Sequence, residues 1–188
     1  MMTSTQSLTR DLRPGSRRFT LIGIAGFAGA LAAASQIAIP LPGTPVPFTL
    51  QPMLVVLAGM WLGPVAGGAS MLLYLVAGAA GLPVFTPLGA PGLARFVGPT
   101  GGYLIAYPAA AFIAGAATRR ARTVALRWLA AAAGMAVIYL GGIAQLSVMS
   151  GSVSRAIALG VTPFAALDLI KAFVAAAVSG PRLTRFRA

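Results

Sequence analysis

The chain has 188 residues, of which 58% are hydrophobic and 9% charged, with a mean hydropathy of +0.88; soluble domains carry about 25% charged residues, so the membrane class comes first. Its net charge of +12 does not argue for nucleic acid, because the basic residues form short clusters between long apolar runs instead of one basic face. With no cysteine and no histidine, disulfides, zinc sites and cysteine- or histidine-based catalysis are excluded, and no metal or cofactor is expected.

Residues 1–18 form a polar arm with Arg10, Arg13, Arg17 and Arg18. Phe19 to Ile39 is the first apolar run, close to the roughly 20 residues that span a bilayer. Its Ala-x-Ala sites resemble those of a signal peptide, but 21 apolar residues exceed the usual roughly 7–15, so a retained helix is expected. The uncharged PLPGTPVPFTLQ, Pro40 to Gln51, has four prolines in twelve residues and reads as a loop. Pro52 to Gly81 is apolar apart from a break at Gly63-Pro64, which predicts a tight turn between two helices. A second proline-rich loop, Leu82 to Pro99, carries Arg95. Thr100 to Thr118 and Trp128 to Met149 are the next spans, separated by Arg119, Arg120, Arg122 and Arg127. Ser150 to Thr162 reads as a polar loop with Arg155, followed by the last span, Pro163 to Gly180. The tail carries Arg182, Arg185 and Arg187.

The arm, the 119–127 cluster and the tail hold eleven of the fourteen basic residues. Cytoplasmic loops are enriched in Arg and Lys, so all three belong on the cytoplasmic side. An even number of crossings must then separate residue 18 from residue 119, which requires the split at Gly63-Pro64. The expected fold is an all-α integral membrane bundle of six transmembrane helices over 19–181, between a basic arm (1–18) and a basic tail (182–188), with both termini cytoplasmic.

In that arrangement the polar residues gather in the outer half. Asp168 and Lys171 share a face of the last helix, three residues apart. Lys171 is the sole lysine of the chain, and Asp168 is one of its two acids. Ionisable groups inside a span are costly unless they pair or face a cavity. A helix-stabilising ion pair is the plain reading, and a polar-solute site the sharper one. The inner half is almost wholly apolar, which favours a pocket loaded from outside over a continuous pore. Asp168 can accept from N–H donors, Lys171 can donate to a carbonyl or carboxylate, and Arg95 can grip a carboxylate. The start of the fourth helix, Thr100 to Tyr103, offers backbone N–H groups to an anion. Phe48, Phe85, Tyr103 and Tyr107 can supply apolar walls, and Gln51 and Gln36 are weaker polar candidates. Plain readings compete for each: Arg95 as a solvated loop residue, the tyrosines as interface-belt residues, the glutamines as interhelical bonds.

Enzymatic readings find little support. The lysine is preceded by Ile170, so no P-loop exists, and no serine sits in G-x-S-x-G. Any ATP must therefore be used by another chain. In the first helix Ala28 and Ala32, and Ala30 and Ala34, repeat at four-residue spacing, a pattern that lets helices approach closely, within the bundle or against a partner.

The stretches PLPGTPVPFTLQ, LAGMWLGPVAGGASMLLYLVAGAAGLPVF, GPTGGYLIAYPAAAFIAG and ALDLIKA, in that order, resemble the BioY family, the biotin-specific S components of energy-coupling-factor transporters. The resemblance runs from about Ile37 to Ala172. It implies a six-helix protein of the cell (inner) membrane that binds biotin near the outer face. It also implies a transmembrane coupling protein (T component) and ABC-type ATPases in other chains, met through the small-residue face Ala28, Ala30, Ala32 and Ala34. Ligand contacts carried over by this resemblance fall on Asp168 and Lys171, on the loop 40–51 with Gln51, and on 82–103 with Phe85, Arg95, Thr100 and Tyr103. In this reading Asp168 accepts from the ureido N–H and Lys171 reaches its carbonyl, while Arg95 or the 98–103 backbone holds the carboxylate; Lys171 and Arg95 could exchange roles. Three alternatives stand beside it: the same scaffold tuned to another vitamin, a solitary carrier with Asp168 as its proton site, and an assembly subunit with no ligand.

Overall fold

The structure, a computed structural model, describes residues 17–180. Residues 1–16 of the basic arm and the tail 182–188 lie outside the described residues. Among the described residues are seven α-helices: α1 (Arg17–Ser35), α2 (Gln51–Leu62), α3 (Pro64–Ala79), α4 (Gly101–Thr118), α5 (Val124–Ser150), α6 (Val153–Gly160) and α7 (Ala165–Val178). A 3-10 turn covers Gly92–Val97. The one β feature among them is an isolated antiparallel bridge between Ile39 and Phe48, so the fold is all-α.

The expected break at Gly63-Pro64 is present. Gly63 closes α2 by donating to the Gly59 carbonyl, with φ 87°, and Pro64 opens α3. That φ lies where only glycine is free of Cβ strain, and proline at the first helical position loses no needed N–H. Elsewhere the local chemistry moved the boundaries. α1 stops at Ser35, short of the expected Ile39, because Ile39 is drawn into exchange of both hydrogen bonds with Phe48. α5 starts at Val124 instead of Trp128, since Thr123 caps it by accepting from the Leu126 N–H. Arg127 is thereby a helix residue, and a buried one.

The stretch 150–162 is corrected more substantially, from loop to helix. Ser152 caps α6 by accepting from the Arg155 N–H, and the helix buries Ala156 and Gly160. Small residues one turn apart let so short a helix seat against α5, which it contacts extensively.

α4 is the centre of the bundle, packing against α5, α2 and α3; α7 leans on α5 and α2, and α1 on α3 and α2. α1, α4 and α5 are each long and apolar enough to cross a membrane. α6 and α7 pass the same test together, as a pair bent by 57°, whereas α2 and α3 are apolar but shorter. Much of the outer surface is apolar, including Val148 at 86% exposure, Val65, Ile105, Leu140 and Ile170. Contiguous apolar exposure of this kind suits lipid and not water.

Candidate functional site

One cavity opens at the end of the bundle where the 40–50 and 82–100 loops meet the helices. Its empty space, mouth included, is about 690 Å³, within the ~300–1,000 Å³ of small-molecule sites. Of the sequence-proposed ligand residues, the structure brings Asp168, Lys171, Arg95, Tyr103, Tyr107, Thr100, Gln51 and Phe85 to its walls, but not Phe48 or Gln36.

Asp168 and Lys171 follow from helix geometry, being one turn apart at the start of α7. Lys171 Nζ donates to Asp168 Oδ1 at 2.7 Å and to the Thr49 carbonyl at 2.7 Å, and lies 3.8 Å from the Phe48 ring centroid. Tyr139, from α5, donates to Asp168 Oδ2 at 2.5 Å. Both ionic groups are buried, so this pairing offsets a desolvation cost that a lone charge could not bear. Two of the three Nζ donors are engaged, and each carboxylate oxygen keeps a free lone pair. The pair is partnered but not saturated.

Arg95 is not the solvated loop residue that composition allows; it is 4% exposed. Its two terminal nitrogens donate to the Thr86 and Leu88 carbonyls, and its carbon lies 5.9 Å from the Phe85 ring centroid. Gly89, at φ 113°, lets the backbone wrap the guanidinium: a Cβ there would fall 2.5 Å from Nη1. The buried Nε–H has no partner among the described residues. Asp168, the one acid among those residues, is already committed to Lys171. Arg95 is thus a buried cation facing a cavity, with no counter-ion among the described residues. Burial pulls its pKa below the ordinary arginine value, partly opposed by Tyr74, a pressure that an incoming anion would relieve.

Gln51 donates to the Tyr74 hydroxyl at 2.8 Å, and Tyr103 donates to the Gly160 carbonyl at 2.9 Å. Phe85 stacks edge-on with Tyr74 and Phe96. Gln145 is spent on the Phe96 and Gly98 carbonyls and does not line the cavity. Gln36 likewise bonds the Pro83 and Phe85 carbonyls outside it. The four alanines proposed for docking do not share one face. Ala28 is buried, Ala32 and Ala34 are half-buried, and Ala30 is exposed.

Sequence reasoning passed over Tyr139, Tyr74, Phe164 and the Thr49 carbonyl, all in the lining. A signal existed for the two tyrosines. A phenol in mid-span needs a partner, and Tyr139 and Tyr74 both lie within apolar runs. The Thr49 carbonyl carried no such signal, because any residue supplies one.

The chain is similar to known proteins over most of its length. The probable biotin transporter BioY of Pyrococcus horikoshii is 40% identical over 156 residues, covering 83% of this chain and 91% of that protein. The biotin transporter BioY of Thermotoga maritima is 36% identical over 153 residues, or 81% and 89% of the two chains. Among solved structures, the S-component for biotin from an ECF-type ABC transporter superposes with a TM-score of 0.78 at 26% identity, covering 95% of this chain and 93% of that one. With the BioY family model matching residues 3–187, the chain belongs to the BioY family.

Proposed function

We propose that this chain is the biotin-capturing S component of an energy-coupling-factor vitamin transporter, a multi-pass membrane protein and not an enzyme. The observation that carries the reading is the pairing, in one mostly apolar cavity, of the Asp168–Lys171–Tyr139 cluster with an uncompensated buried guanidinium at Arg95. Biotin has the matching chemistry: ureido N–H and C=O groups, an apolar thioether ring and a carboxylate tail. Asp168 accepts from a ureido N–H, and the remaining Nζ donor of Lys171 serves the ureido carbonyl. The lack of a counter-ion at Arg95 among the described residues favours giving it the carboxylate over exchanging its role with Lys171. Phe85, Tyr103, Thr100 and Gln51 complete the walls.

The basic clusters of the arm, the 119–127 segment and the tail favour six crossings of the cell membrane, α1 to α5 and α7, with both termini cytoplasmic; this counts the shorter apolar helices α2 and α3 as spans beside α1, α4, α5 and the bent pair that ends in α7. Energy would come from ABC-type ATPases through a T component. Docking of that partner is assigned to α1, where Ala30 offers the exposed small side chain.

Titration of the purified protein with biotin tests the function. Saturable binding is expected, and none at micromolar ligand would remove the assignment; competition by other vitamins tests the retuned scaffold. A solitary proton-coupled carrier is disfavoured because both carboxylate oxygens of Asp168 are already engaged, Oδ1 by Lys171 and Oδ2 by Tyr139. Uptake into proteoliposomes lacking ATPase would restore that alternative.

A further inference from the structure

The last residues of α1 are joined to the wall of the cavity, 47 to 49 residues further along the chain. Ser35, fully buried, shares its hydroxyl proton between the Val84 carbonyl at 2.6 Å and the Ala32 carbonyl at 2.7 Å. The Gln36 side-chain amide lies 3.2 Å from both the Pro83 and Phe85 carbonyls, and donates to the Ser35 hydroxyl at 2.8 Å. Three consecutive carbonyls, 83 to 85, therefore lie within hydrogen-bond reach of the end of α1: Val84 accepts from Ser35, and Pro83 and Phe85 share the Gln36 N–H that is not given to Ser35. The next loop carbonyls in use, Thr86 and Leu88, accept from Arg95. One short segment is gripped from one direction by α1 and from the other by the guanidinium. Between the two grips sits Phe85, its ring pressed so closely on α3 that a Cβ at Gly78 would lie 2.2 Å from it.

We propose that Ser35 and Gln36, neither of which lines the cavity, are positioning residues that hold Arg95 and Phe85 in place for the acid end of the ligand. A proline-rich loop has few backbone hydrogen bonds of its own, so its conformation must be set by outside donors. The clamp supplies them. Without it the 83–86 backbone is free to shift, and the two carbonyls that aim Arg95 shift with it. This inference rests on the reading in which Arg95 takes the carboxylate of biotin.

The test uses the full chain in nanodiscs, with Ser35→Ala and Gln36→Met singly and together. Gln36 is exposed and Ser35→Ala removes one oxygen, so both variants should fold. Two ligands are titrated, biotin and biotin methyl ester, whose tail carries no charge. The double variant is expected to lose about tenfold in affinity for biotin and about threefold or less for the ester. A readout without ligand accompanies it: because the chain lacks cysteine, Val84→Cys provides a single thiol whose labelling rate should rise several-fold when the clamp is removed. Equal losses for the two ligands, unchanged biotin affinity, or unchanged labelling would each overturn the positioning role. If wild-type protein binds no biotin, the functional reading fails instead, and the labelling rate still judges the clamp separately.

Discussion

Tyr139 and Asp168 meet across α5 and α7 in a 2.5 Å hydrogen bond, with the phenol donating to Oδ2 while Lys171 holds Oδ1. The carboxylate is thus oriented from two helices before any ligand arrives, and an acceptor already in place need not lose rotational freedom on binding. Tyr139→Phe removes this hold while keeping the ring. Calorimetric titration should find biotin affinity reduced about three- to tenfold with the melting temperature little changed.

The ion pair itself should behave asymmetrically. Lys171→Met strands a buried carboxylate and should destabilise the protein by about 3–5 kcal/mol, seen as a large drop in thermal midpoint in detergent. Lys171→Met combined with Asp168→Asn should recover much of that stability, because no buried charge remains. Binding should stay absent in the double variant. Recovery of both would mean that the pair serves folding alone.

Arg95→Gln tests the charge of the guanidinium. Loss of a charge-assisted contact should weaken biotin binding about 10- to 100-fold. The methyl ester should bind wild type and variant alike. Equal weakening of the two ligands would place the carboxylate elsewhere.

At the far end of the same helices Arg127 has a structural task. Its Nε donates to the Ala176 carbonyl at 3.2 Å, in the last turn of α7, where the helix dipole favours a cation. Arg127→Ala should cost about 1–2 kcal/mol of stability and leave biotin affinity unchanged, as heat denaturation and titration can show side by side.

The seam between α4 and α5 is set by two glycines. A Cβ on Gly102 would lie 2.1 Å from the Gly141 carbonyl oxygen, and one on Gly141 would lie 2.4 Å from that of Gly102. Backbone cannot yield as a flexible side chain does, so Gly141→Ala should destabilise by about 1–3 kcal/mol. Tyr103, whose ring packs on Gly142 one residue along, would be displaced with the seam, so biotin binding should weaken too.

Much of this protein is legible without coordinates because the relevant physics is local. An apolar run of bilayer length, a Gly63-Pro64 interruption, or an acid and an amine one turn apart each declares itself within a few residues, wherever the rest of the chain goes. The grouping of Asp168, Lys171, Arg95 and the aromatic walls was reachable for that reason, aided by family-like motifs. Facing is another matter. Whether Arg95 is solvated or buried depends on carbonyls at 86 and 88 and on a glycine that wraps it. Whether Ala28 is free for a partner depends on which side of α1 the bundle occupies. The Thr49 carbonyl reaches Lys171 from 122 residues away, and the Ser35–Gln36 clamp spans nearly 50. Such contacts are made by backbone groups that every residue possesses, so no side-chain pattern marks them, and only the packed bundle selects which of them meet.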